Sequence, residues 1–192
     1  MIRLLVLLRR VGWHASLRGA ETLGAPAPWM NLSAIALLGC ICREGTTIIE
    51  YGCGSSTRWL AERGCTVTSI EHDEEWARSV RTQLAESSGG ENCRVELVEP
   101  AAYARAPRDL GVSSADVVIV DGINRVECVV EGVQLLTSSG VLVLDDSHRP
   151  DYDAAFEFLG AQGFDEVTVW GPKFGPHGGA PATSFFRRGR LI

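Results

Sequence analysis

The chain has 192 residues, 45% of them hydrophobic and 22% charged, with no repeat or low-complexity stretch, which excludes a disordered chain and fits one globular unit. A formal net charge of −6 excludes a surface built to neutralise nucleic-acid phosphates, because that takes clustered Lys and Arg, and it favours a small-molecule partner. The six cysteines form no Cys-x-x-Cys pair, which removes the usual zinc and dithiol spacings; they read as reduced, mostly buried small hydrophobes of a cytoplasmic protein.

The opening "MIRLLVLLRR" has an apolar run, Leu4 to Leu8, that Arg9 and Arg10 end too soon for a signal segment or a membrane span. It reads as an amphipathic element packed on the domain, with attachment to a membrane surface as the alternative. Residues 1–45 are expected to form a helical extension or substrate cap, with a turn-rich "GAETLGAPAPW" and then a helix from about Asn31 to Cys42. The sequon Asn31-Leu32-Ser33 has no consequence in a cytoplasmic chain.

Residues 46–192 form the main unit. Short β-branched runs, "TTIIEY", "TVTSIE", "CRVELV", "DVVIVD" and "GVLVLD", alternate with the helical stretches "SSTRWLAER", "DEEWARSVRTQLAES", "AAYARAPRDL" and "NRVECVVEGVQLLTS". That alternation predicts a parallel sheet with crossover helices, its strands buried on both faces. After a helix from about Tyr152 to Leu159, "DEVTVW" and "ATSFFRR" are joined by the Gly/Pro-rich "GPKFGPHGGAP", a link without a helix that predicts an antiparallel hairpin. The fold class is α/β, doubly wound and Rossmann-like, mainly parallel with a C-terminal antiparallel hairpin. "VTVW" and "TSFF" offer an edge through which a homo-oligomer could form.

The first strand runs into a turn, "IIEYGCGSST", in which Gly52 and Gly54 permit a close approach to the backbone. A tight turn alone would explain the pair. A dinucleotide site would add a third glycine, which is missing. Glu50 stands before the turn and Glu71 ends the second strand about twenty residues on. One carboxylate suits an ammonium group and the other the two hydroxyls of a ribose, which together describe a nucleoside carrying a cationic amino acid.

"EYGCGSST", "SIEHD", "ADVVIVDG" and "GVLVLDD" together resemble the class I S-adenosylmethionine-dependent methyltransferases over residues 46–188. "PW" before the first strand, "EHDEEW", "VDGINR" and the terminal "TSFF" resemble a compact bacterial group of methyltransferase-like proteins within that class. The resemblance implies a seven-stranded sheet with an antiparallel last strand and S-adenosylmethionine as cofactor. It places Glu50, Gly52 and Gly54 at the methionine end, Ser55, Ser56 and Thr57 as donors, Glu71 on the ribose and His72 beside the adenine, with Asp121 also bordering the cofactor. Glu99 to Ala101 would lie near the base, although that stretch departs from the usual Asp-containing pattern.

Two devices for activating an acceptor are available. Asp121 ends the fourth strand and Asp145 and Asp146 end the fifth, so three hard oxygen ligands meet at one edge of the cleft and suit Mg²⁺. This is similar to the metal-dependent O-methyltransferases of the catechol and sugar-modifying types; loop and helix capping is the plainer alternative. His148, just past the fifth strand, is the candidate general base, with His177 and His14 weaker ones. Arg125 and Arg149 flank this region and favour an anionic or carbohydrate acceptor. Pro26 to Met30 and the loop around His177 are candidates for substrate wall and lid. Lys173, the one lysine, leaves Schiff-base chemistry formally open with nothing else in its favour.

The expected function is methylation of a small molecule, on oxygen, with Asp121, Asp146 and His148 as catalytic residues and Asp121, Asp145 and Asp146 as metal ligands. An NAD-dependent oxidoreductase and a noncatalytic cofactor-binding module are the alternatives. Nucleic-acid methylation lacks both basic charge and an Asn-Pro-Pro-aromatic motif.

Overall fold

The computed structural model describes residues 27–173 and 180–189. The "MIRLLVLLRR" stretch, His14, Pro26 and His177 lie outside the described residues. The chain runs through α1 (Leu32–Ile41), β1 (Thr47–Tyr51), α2 (Ser55–Ala61), β2 (Thr66–Glu71), α3 (Glu74–Ala85), β3 (Cys93–Leu97), a four-residue α4 (Ala106–Asp109), β4 (Ala115–Val120), α5 (Arg125–Gly132), β5 (Leu136–Asp145), α6 (Asp153–Ala161), β6 (Phe164–Trp170) and β7 (Ala182–Arg188). No helix among the described residues is long and apolar enough to cross a membrane.

The strands form one seven-stranded sheet in the order β3-β2-β1-β4-β5-β7-β6. β1 pairs in parallel with β2 and β4, and β7 runs antiparallel to both its neighbours. In β4, Val117 and Ile119 pack on one face with Ile48, Val67 and Val143, while Val118 and Val120 pack on the other with Ile49, Ile70, Leu142 and Leu144. Successive side chains point to opposite faces and both faces are covered, which is why the strands are unbroken apolar runs. Complete burial of a side chain such as Ile119 or Leu142 stabilises the fold by roughly 1.5–3 kcal/mol each.

The hairpin differs in one respect from a simple edge. β7 is inserted between β5 and β6, so Thr183 to Phe186 are buried and β6 alone presents that side of the sheet. Two expected helices also shorten. "AAYARAPRDL" becomes a turn of 3-10 helix at Tyr103–Arg105 followed by α4, and α5 stops at Gly132. A Cβ at Gly132 would lie 2.8 Å from Val118 Cγ1, so that helix lies directly against the sheet, and β5 begins soon after, at Leu136.

Residues 30–42 are built into the domain. Met30, Ala34, Leu38 and Cys42 belong to the same buried cluster as Ile48 and Val143. Asn31 caps α1 by accepting from Ala34 N–H at 2.9 Å, and its buried amide donates to Thr183 Oγ1 at 2.8 Å and to the carbonyl of Pro181 at 3.3 Å. The sequon amide is thus consumed inside the protein.

Candidate active site

The strand order reverses at β1: the chain winds outward through β2 and β3, then returns on the other side with β4 and β5. The loops after β1 and β4 therefore diverge at the carboxyl ends of the strands, and a crevice of about 480 Å³ opens there. The β1 turn (Gly52 to Ser56), the end of β2 (Glu71 to Asp73), the β4 turn (Asp121 to Ile123), Arg125, Asp146 and Lys173 line it, with Trp29 and Trp76.

Glu50 lies beneath the turn and not in this wall. Its Oε1 accepts from Ser56 Oγ at 2.5 Å, and its Oε2 accepts from Thr57 Oγ1 and Ser69 Oγ at 2.6 Å each. Burial raises its carboxyl above the usual glutamate range, against the pull of these three hydroxyls. Thr57 Oγ1 also accepts from Gly54 N–H at 2.9 Å. The hydroxyls expected to serve a ligand at Ser56 and Thr57 instead tie the turn to the carboxylate; Ser55 and Ser56 border the crevice, and of these two only the Ser55 hydroxyl is not bonded to Glu50 among the described residues.

The two glycines have different reasons. Gly52 has φ +95°, and a Cβ there would stand 2.9 Å from Gly122 Cα, so the β1 and β4 turns meet backbone to backbone. Gly122 in turn is pressed by the Tyr103 hydroxyl, which is fixed by donating to the carbonyl of Ile70 at 3.0 Å. At Gly54 a Cβ would meet no protein atom closer than the Trp76 ring, at 3.8 Å.

Glu71 is set as the β2 end predicts. Its Oε1 accepts from the N–H groups of His72 at 2.7 Å and Asp73 at 3.0 Å and lies 2.8 Å from His72 Nδ1, while Oε2 accepts, among the described residues, from Cys53 N–H at 3.2 Å. Oε2 keeps capacity to accept from a ligand diol. His72 lines the same wall, its ring edge-on to Tyr103. Glu99 to Ala101 form a turn outside it, where the carbonyl of Pro100 accepts from Asn124 Nδ2 at 3.0 Å.

Across the crevice the three acids come together, with one oxygen from each of Asp121, Asp145 and Asp146 lying within 4.8 Å of the others. Cations already hold them. Lys173 Nζ donates to Asp145 Oδ2 and Asp146 Oδ1 at 3.1 Å each, Arg125 Nη2 donates to Asp121 Oδ1 at 2.8 Å, and Arg149 Nη2 donates to Asp146 Oδ2 at 2.7 Å. Thr183 Oγ1 donates to Asp145 Oδ1 at 2.6 Å. Arg125 also reaches the carbonyls of Asp121, Gly122 and Asp145 and so clamps the ends of β4 and β5 together. Asp146 holds a left-handed φ of +50°, one of two such non-glycine residues among those described, the other being Asn124 in the β4 turn.

The electrostatics follow. Burial and the Asp145 carboxylate push Asp121 up to about 7, against Arg125 and Lys173. Burial would raise Asp146 as well, but the hydrogen bond and charge of Lys173, with Arg125 and Arg149, bring it below the usual range. Burial would lower Lys173, yet Asp145, Asp121 and Asp146 outweigh it and keep the ammonium charged. His148 stands apart, exposed and outside the crevice wall, its Nδ1 accepting from Ala182 N–H at 3.4 Å and its ring against Trp170.

The residues least visible in the sequence are Trp76 and Lys173. Trp76 Nε1 donates to the Cys53 carbonyl at 2.7 Å, and its ring lies 5.9 Å from that of Trp29, forming an aromatic wall. The signal for Lys173 was its being the one lysine in a chain with three acids at adjacent strand ends.

No protein-family model matches the chain, and no curated protein matches it. Solved structures do. A methyltransferase-like protein from Silicibacter pomeroyi is 27% identical, with 88% of this chain and 91% of that one covered and a TM-score of 0.62. The cofactor-bound Rv0187 from MTB is 19% identical over 92% and 88%, with a TM-score of 0.65. The O-methyltransferase TomG from Streptomyces achromogenes, involved in tomaymycin synthesis and solved with S-adenosylmethionine, is 20% identical over 80% and 77%, with a TM-score of 0.62. The chain has the fold of the class I S-adenosylmethionine-dependent methyltransferases.

Proposed function

We propose that the protein is an S-adenosylmethionine-dependent methyltransferase that acts on an oxygen of a small molecule. The observation that carries this reading is the pairing of Glu71, fixed by the N–H groups of Cys53, His72 and Asp73, with the acid cluster across the same crevice. The neighbours bound to a cofactor support it.

The residues present fit the cofactor. Glu71 Oε2 would accept the ribose hydroxyls, and the Gly52 to Gly54 backbone, with no side chain over Gly54, would border the methionine end. Bound there, S-adenosylmethionine would supply a sulfonium methyl group open to in-line attack by a suitably placed oxygen, with the thioether of S-adenosylhomocysteine as the leaving group. The protein then has to align the acceptor, take its proton and keep water out.

Asp121 suits the proton-accepting role. Its carboxylate faces the crevice, and Oδ2 receives no hydrogen bond among the described residues. His148 faces elsewhere. The fit of Mg²⁺ is poor: five of the six carboxylate oxygens in the cluster already accept hydrogen bonds, from Arg125, Thr183, Lys173 and Arg149. No step is therefore routed through a metal. The Trp29–Trp76 wall suits a flat acceptor, and the half-exposed Arg149 suits an anionic one.

The test is formation of S-adenosylhomocysteine from S-adenosylmethionine across a panel of phenols and hydroxy acids. Turnover above the protein-free rate that falls at least a hundredfold in Asp121→Asn, with cofactor affinity retained, is expected for loss of a general base. Turnover unchanged by Asp121→Asn contradicts the role given to Asp121, and no turnover on any acceptor counts against the enzyme reading.

A further inference from the structure

We infer that Lys173 is the built-in cation of this site: its ammonium holds the place between the strand-end aspartates that a divalent ion would need, and it directs its remaining N–H at the acceptor oxygen. The second half rests on the methyltransferase reading above; the first does not.

The donor arithmetic carries the first half. A magnesium ion needs near-octahedral oxygen coordination at about 2.0–2.1 Å, so its carboxylate ligands must have free oxygens turned toward one point. Here Lys173 Nζ sits 3.1 Å from an oxygen of Asp145 and 3.1 Å from one of Asp146. The other oxygens of those two acids accept from Thr183 and Arg149, and Asp121 Oδ1 accepts from Arg125. Three carboxylates are thus matched by Lys173, Arg125 and Arg149. An added divalent ion would bring two positive charges to a cluster already balanced and would have to expel Lys173 first.

The position of Lys173 is determined by the fold. Lys173 forms a β-bridge with Asn31, and the carbonyl of Pro172 accepts from Leu32 N–H at 3.0 Å. Asn31 also donates to Thr183, which donates to Asp145, so one buried residue ties the lysine's strand segment and the lysine's acid partner together. The stem of Lys173 is mostly buried, yet the residue reaches the crevice wall.

An ammonium has three N–H donors and accepts nothing. Two are spent on Asp145 and Asp146, and the third, which meets no acceptor among the described residues, is available to a ligand in the crevice that Lys173 lines. A lysine so placed stabilises negative charge developing on an oxygen as that oxygen loses its proton, the service a metal gives in other sites, while being tethered to the chain. The acceptor class it fits is a phenol, enol or hydroxy acid.

The test uses Mn²⁺ as a paramagnetic probe, titrated into the full-length protein and followed by the loss of the free-ion resonance, with S-adenosylhomocysteine binding to the same wild-type sample measured by calorimetry. Wild-type protein is expected to bind Mn²⁺ at least tenfold more weakly than Lys173→Met, and the site gained in Lys173→Met is expected to vanish in Lys173→Met/Asp145→Asn. Turnover by wild type, where an acceptor is found, is expected to survive EDTA. A stoichiometric wild-type site for Mn²⁺ that Asp145→Asn removes overturns the inference by itself, whether or not the lysine variant folds. A folded Lys173→Met that gains no site overturns it too. Failure of wild type to bind S-adenosylhomocysteine would instead strike the methyltransferase reading and the acceptor role, leaving the metal titration to decide what occupies the aspartates.

Discussion

Glu50 is buried without an ion pair among the described residues, its carboxyl held by three hydroxyls and raised chiefly by burial. Folding therefore takes up a proton above the ordinary glutamate value of about 4.3. The stability contributed by protonated Glu50 is complete below that value and is lost as pH rises through the folded-state value. Chemical denaturation should show the stability advantage of wild type over Glu50→Gln to be largest near pH 4 and to shrink toward pH 8, with a loss of about 1–3 kcal/mol for the buried hydroxyls left poorly matched. An advantage that grows with pH would mean that the Glu50 carboxyl is not raised on folding. Glu71 makes the opposite case, a carboxylate anchored by backbone but open on Oε2, so Glu71→Ala should weaken S-adenosylhomocysteine binding at least tenfold with little change in fold. The type and place of both acids were legible as strand-end carboxylates. Which one faces the crevice was not, because Ser56, Thr57 and Ser69 converge on Glu50 only when β1, β2 and α2 are packed.

The turns after β1 and β4 act as one element because their backbones touch. A Cβ at Gly122 would fall 2.1 Å from the Tyr103 hydroxyl, and that ring is fully buried. Gly122→Ala should cost about 1–3 kcal/mol by overpacking, and adding Tyr103→Phe should recover part of it, read as a thermal midpoint for each single and the double variant. Equal losses in the presence and absence of Tyr103→Phe would mean that the clash is elsewhere. α1 carries a second such link through Asn31. Asn31→Ala removes a cap and the amide bonds to Thr183 and Pro181, and it should cost about 2 kcal/mol or more. The first glycine of the turn was legible as a close approach. That its neighbour is another turn, and not a ligand, depends on β1 and β4 lying side by side, which spacing along the chain does not state.

The whole sheet was legible where its strands are β-branched runs alternating with helices. The carboxylates at the ends of β4 and β5 do come together, with Asp121 and Asp146 in the crevice wall, whereas Asp145 is fully buried and not part of that wall. What escaped the sequence came from long-range insertion. β7 enters between β5 and β6, bringing Thr183 onto Asp145, and the segment leaving β6 folds back along Asn31, bringing Lys173 onto both acids. A single lysine in a glycine-rich stretch has no periodicity to reveal such a partner. The same packing brings Met30, Ala34, Leu38 and Cys42, from the stretch expected as a helical extension or substrate cap, into the core.

Whether the crevice is a cofactor site is tested most directly by calorimetric titration of the folded protein with S-adenosylhomocysteine, with NAD as the comparison. Saturable binding in the micromolar range, about 8 kcal/mol, weakened at least tenfold in Glu71→Ala and absent for NAD, is the predicted result. Saturable NAD binding with none of S-adenosylhomocysteine would contradict it.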